Sequence, residues 1–212
     1  MTGVKAPSHN AKTGTMAQTY ILRSDIPPLE AVKSGEDASI CGNCPHRGTS
    51  CYVNVAQGPQ SVWKTYRNGG YNQCSPKKAG YNLSIRIGAY GDPGAVPPQI
   101  WKDLLSHARM WTGYTHQALS SPELMGNMQA SADSPEEALA LQELGWKTFR
   151  VKREDEPFLP GEILCPNEKT GMQCIICGLC DGRKKNIAIN VHGLDHKIKK
   201  YKSWRIENAV TI

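Results

Sequence analysis

Residues 83–88 (LSIRIG) alternate apolar and polar side chains, the two-residue period of a half-buried strand. Residues 17–22, 112–117, 127–132, 146–151 and 187–191 are further stretches with strand character, and 161–165 reads as short and extended. Between them the period lengthens. Residues 97–110 carry Ile100, Trp101, Leu104, Leu105 and Ala108 at three- and four-residue spacing, which predicts a helix. Ser134-Pro-Glu-Glu opens another. Ser134 serves as the cap, Pro135 takes the first helical position and Glu137 stands three residues after the cap. That helix continues through Ala138, Leu141 and Leu144, and Gly145 ends it. Residues 53–66 predict a third helix, its start disturbed by Gly58-Pro59.

Strands that alternate with helices across short connections define an α/β chain. The expected fold is a partial (β/α) barrel of the TIM type, with about six mainly parallel strands; an open doubly wound sheet is the alternative. The expected organisation is a flexible polar segment over 1–16, one α/β domain over 17–194, and a basic tail over 195–212. In either architecture ligands gather at the C-terminal ends of strands. The polar residues there are Tyr90, Asp92, His116, Gln117, Ser131, Asp133, Arg150, Cys165 and His192.

Composition sharpens this picture through its cysteines. There are eight in 212 residues, and no apolar run long enough to cross a bilayer and no signal-peptide pattern accompanies them. The reading is a cytoplasmic protein without a membrane partner, in which clustered thiols bind metal. Cys165, Cys174, Cys177 and Cys180 have the spacing of ferredoxin-type ligands, with the distant ligand upstream, and fit a [4Fe-4S] cluster. Zinc is the competing occupant. The formal charge of +6 counts thiols as neutral; four thiolates around a 2+ core bring it to about +4. Arg183, Lys184 and Lys185 are the expected counter-charges.

Cys41, Cys44 and Cys51 form a second group. Three thiolates around a second cluster leave one iron open to an exogenous ligand such as S-adenosylmethionine. The spacing departs from CxxxCxxC, and no Gly-Gly-Glu strand end follows. The alternative is a zinc or shared site completed by His46, Cys74 or a cysteine of the other group. His116 and His192 read as ligands or as hydrogen-bonded core residues. Asp92 and Asp133 read as strand-end contacts or caps. Arg86 and Arg150 each need an anion or a carboxylate if they face the interior, with Asp92 or Asp133 the expected partner. Lys197, Lys199, Lys200, Lys202 and Arg205, with Tyr201 and Trp204 among them, read as a solvated tail or a grip for single-stranded nucleic acid.

Asn10-Ala-Lys-Thr-Gly, Cys41-Gly-Asn-Cys-Pro-His-Arg-Gly, Cys51-Tyr-Val-Asn, Ile87-Gly-Ala-Tyr-Gly-Asp-Pro, Thr112-Gly-Tyr-Thr-His-Gln, Ala130-Ser-Ala-Asp-Ser and the Cys165 to Cys180 run carry a resemblance over about residues 10–193. The chain resembles an uncharacterised family of bacteriophage and mobile-element iron–sulfur proteins. That family is distantly similar to small radical-SAM-like phage proteins, on Cys51-Tyr52 and Gly91-Asp92. The resemblance implies a barrel-like fold and cluster binding in the cytoplasm of an infected bacterium. There, redox or radical-type chemistry would draw on an electron-donor protein of the host.

Overall fold

The structure, a computed structural model, describes residues 2–5, as backbone only, and residues 10–208. Residue 1 and residues 6–9, part of the segment read as flexible, lie outside the described residues, as do 209–212 of the tail.

The chain is mixed α/β. Strand β1 (Thr2–Lys5) runs antiparallel to β2 (Ala17–Ile21). Helices α1 (Pro28–Ser34), α2 (Ala38–Cys41), α3 (Gly58–Arg67) and α4 (Pro76–Gly80) follow. Then come β3 (Ser84–Tyr90), a 3-10 turn (Pro93–Ala95), α5 (Pro98–Leu105), β4 (Met110–Thr112) and β5 (Tyr114–Thr115). A 3-10 turn (Pro122–Leu124) leads to β6 (Gln129–Ala132), α6 (Pro135–Glu143), β7 (Thr148–Lys152) and β8 (Glu162–Leu164). Helices α7 (Pro166–Thr170) and α8 (Cys174–Cys177), strand β9 (Asn186–Asn190) and helix α9 (Asp195–Asn208) complete the described chain.

One sheet has the order β1-β2-β3-β4 and the other β5-β6-β7-β9-β8; every pairing but β1 with β2 is parallel. Gly113 alone separates β4 from β5. Its N–H donates to the Cys180 carbonyl at 3.0 Å and its carbonyl accepts from Gln129 N at 3.0 Å. The sheets therefore meet across one residue, and the segment expected as one strand over 112–117 is split there.

Alternation gives the sheet two faces. Ile85, Ile87, Ala130 and Ala132 join Trp101, Leu104 and Leu105 of α5 and Ala138 and Leu141 of α6 in the main core. On the other face the Arg86 guanidinium lies 4.1 Å from the centre of the Tyr114 ring, and Tyr114 stacks on Phe149 with 4.1 Å between ring centres.

The cap of α6 forms as the sequence predicts: Ser134 Oγ accepts from Glu137 N at 3.0 Å. The reciprocal bond shifts by one residue, since Glu137 Oε2 accepts from Asp133 N at 2.7 Å. Residues 195–208, read as tail, form α9 against the domain. The Tyr201 hydroxyl donates to Val151 O at 2.8 Å, and Arg205 pairs with Glu156 at 2.6 Å. No helix among the described residues is long and apolar enough to cross a membrane.

Candidate functional site

Two groups of chemically active side chains are built on this frame. The first sits where β3, β5 and β6 end. Asp92, one residue beyond the positive-φ Gly91, accepts from Thr115 Oγ1 at 2.6 Å, His116 N at 2.8 Å and Gly94 N at 2.8 Å. It caps a 3-10 turn and at the same time fixes the backbone of His116. Asp133, which follows β6, turns its Oδ2 to His46 Nε2 at 2.7 Å and to His116 Nε2 at 3.4 Å. His46 Nδ1 stands 2.7 Å from Ser50 Oγ. The His46 ring packs on Trp204 and Tyr201 of α9, with centres 5.0 and 5.3 Å away.

The first cysteine group adjoins these residues. Cys41 ends α2, and the loop beyond it is braced by Arg47, which donates to Asp37 Oδ1 at 3.0 Å, Gly42 O at 3.2 Å and Gly35 O at 2.9 Å. Gln117 Nε2 donates to Cys41 O at 3.3 Å, tying the loop to the end of β5. Burial pushes the Cys41 thiol up, and Asp37, Cys51 and Cys44 push it further. Burial alone would lower His116; hydrogen bonds to Asp133 and Cys44 instead hold its pKa well above the usual value. For Asp133, burial opposes ionisation, but the bonds to His116 and His46 keep its pKa below the ordinary carboxylate range.

The second group lies against the Arg86 face of the sheet. Cys165 follows β8, and its N–H donates to Ala188 O of β9 at 2.8 Å. Cys174 N donates to Lys12 O at 2.9 Å, which anchors the short helix α8. The Cys180 carbonyl accepts from Gly113 between the sheets. Two residues on, Gly182 approaches β6 so closely that an added Cβ would stand 2.5 Å from Met128 O. Burial raises the Cys174 thiol, Arg86 lowers it, and Cys165 and Cys177 raise it again. Burial likewise raises Cys180; a hydrogen bond from Tyr114 lowers it, Cys165 raises it, and Arg86 and Cys174 act on it too. Cys165, Cys177 and Cys180 thus each lie within electrostatic reach of Cys174.

Arg86 is one cation within electrostatic reach of Cys174 and Cys180. It is 7% exposed and forms no ion pair with a described carboxylate. Burial disfavours its charge, yet Tyr114, Tyr52, Cys174 and Cys180 raise its pKa. The partners expected for it, Asp92 and Asp133, are occupied at the strand ends. Arg150 also departs from expectation: it is fully buried and binds Glu162 bidentately at 2.8 and 2.7 Å and Glu156 at 3.1 Å. The basic run after Cys180 is diverted as well. Arg183 covers the Trp111 ring and donates to Gly126 O at 2.6 Å, and Lys184 pairs with Asp181 at 3.2 Å. Lys12, part of the Asn10-Ala-Lys-Thr-Gly segment but given no role from the sequence, stands near Cys165 and Cys174; burial lowers its pKa and those two thiols raise it.

Of the strand-end residues expected to converge, Asp92, His116, Gln117 and Asp133 do so. His192 is exposed and bonds to its neighbouring backbone at Asn190 O, 2.9 Å away. Cys74 is exposed before α4. Within the basic tail, Lys197 donates to Cys51 O and Val53 O, while Lys199, Lys200 and Lys202 face solvent. Ser50 and the Trp204–Tyr201 pair around His46 escaped the sequence reading; the four-residue spacing of His46 and Ser50 was the one local signal.

Comparison with protein-family models, curated proteins and solved structures finds no match for this chain.

Proposed function

We propose that this chain is an iron–sulfur protein of the bacteriophage type, with one [4Fe-4S] cluster on Cys165, Cys174, Cys177 and Cys180. It works in the cytoplasm of an infected bacterium and performs electron transfer or radical-type redox chemistry, fed by an electron donor of the host. The strands are read as a partial barrel: β2, β3 and β4 of one sheet and β5, β6, β7 and β9 of the other run parallel within each sheet, and Gly113 alone separates β4 from β5, which supports a barrel segment with β8 added beyond β9.

The observation that carries the proposal is Arg86, a buried guanidinium without a carboxylate, directed at the cysteine group. An unpaired buried charge costs several kcal/mol. A cubane of core charge 2+ on four thiolates carries a net charge of −2 and offsets it. The run of three cysteines two residues apart, in which both CxxC pairs share Cys177, favours iron over zinc, whose sites usually pair two separate CxxC units.

Iron and acid-labile sulfide, counted on anaerobically purified protein, test this. The expected result is a brown protein with about four of each per chain. Loss of both in Cys177→Ala supports the ligand assignment. Colourless protein with stoichiometric zinc and no sulfide overturns it. Reduction with S-adenosylmethionine present then separates the chemistries: cleavage marks radical chemistry and requires a second cluster with an open iron on Cys41, Cys44 and Cys51, whereas no cleavage and no binding leave electron transfer or a structural cluster.

A further inference from the structure

We propose that His46, His116 and Asp133 bind one divalent transition-metal ion, at a centre separate from the cysteine-held cluster. Three segments far apart in sequence supply the ligands: the loop after α2, the residue after β5 and the residue after β6. Their ligand atoms all lie within 4.8 Å of one another. Both imidazoles present Nε2 to the same carboxylate oxygen, at 2.7 and 3.4 Å. Ligands around one zinc ion, at about 2.0–2.1 Å, stand about 3.3–3.4 Å apart. His116 already meets that separation from Asp133 at 3.4 Å, and His46, at 2.7 Å, reaches it by withdrawing about 0.6–0.7 Å.

The surroundings are those of a held centre. Asp133 and His46 are buried, and each ligand is positioned by a partner of its own. Ser50 Oγ meets the second ring nitrogen of His46, Asp92 accepts from the backbone of His116, and Glu137 accepts from the backbone of Asp133. Such outer contacts fix ring orientation around a metal. Two imidazoles and one carboxylate suit zinc, ferrous iron or cobalt better than magnesium or calcium. Three protein ligands leave a fourth position for water or substrate. A cavity of about 310 Å³, lined by His116, Ser131, Glu137 and Asn43 among others, adjoins the site on the His116 side.

The test uses Zn²⁺ as the probe on the anaerobically purified full chain, with iron counted in parallel. One zinc is expected to bind per chain. Its X-ray absorption should show nitrogen and oxygen ligands at about 2.0–2.1 Å and no sulfur shell near about 2.3 Å. His116→Gln should abolish this zinc while iron and sulfide stay constant, so the outcome is independent of the cluster. Ser50→Ala, which leaves all three ligands in place, should weaken binding about 10-fold or more. A sulfur shell, or zinc retained unchanged in His116→Gln, overturns the proposal, as does failure of the wild-type chain to bind zinc.

Discussion

Arg86 illustrates how much one side chain can report. Its strand position was legible in the sequence, and so was its need for a negative partner. The identity of that partner was not. Asp92 and Asp133 are consumed by Thr115, His116 and His46, residues that become neighbours only through sheet register. With the proposed cluster in place, Arg86→Gln should shift its midpoint potential to more negative values, because a positive charge favours the reduced state. The shift should be on the order of 100 mV for one charge lost at close range in a dielectric near ~20. A redox titration followed by electron paramagnetic resonance measures it. The cysteine spacing around 165–180 is a local pattern and so readable; the pairing of His46 with Asp133, 87 residues apart, was not. Cys74, exposed and away from both groups, should be dispensable: Cys74→Ser should leave iron and sulfide per chain unchanged.

At the scale of elements, the sequence spoke clearly where period and punctuation agreed. Helix α6 has its cap, its proline and its terminal glycine where the pattern placed them. Ser134→Ala should cost about 1 kcal/mol in urea unfolding, since the Glu137 N–H loses its acceptor. The short helices α1, α2, α4, α7 and α8 went unread because four to seven residues carry too little periodicity. Contacts with distant segments hold them. Helix α4 shows this at Gly80, where an added Cβ would lie 1.8 Å from Leu104 O of α5. Gly80→Ala should destabilise the protein by about 1–3 kcal/mol and lower the midpoint of thermal unfolding.

For the whole molecule, the expectation of an α/β chain with mainly parallel strands holds. The docking of α9 was hidden by its composition. Its lysines dominate the reading, whereas Tyr201 and Arg205, the buried members, do the joining. Arg205 and Arg150 share Glu156, and Glu162 closes the network, so α9, β7 and β8 are linked through buried charge. Glu162→Ala leaves Arg150 without its bidentate partner and should cost about 3–5 kcal/mol in chemical unfolding.

The order β7-β9-β8 also constrains biosynthesis. Strand β8 emerges from the ribosome before its parallel neighbour exists, and Cys165 at its end cannot be fixed until residues 186–190 follow. A nascent chain that already displays Cys174, Cys177 and Cys180 still lacks the scaffold for their fourth companion. On the proposed assignment, a cluster held by these four cysteines could be loaded only after translation has passed β9, which would leave maturation machinery the nearly finished polypeptide to act on.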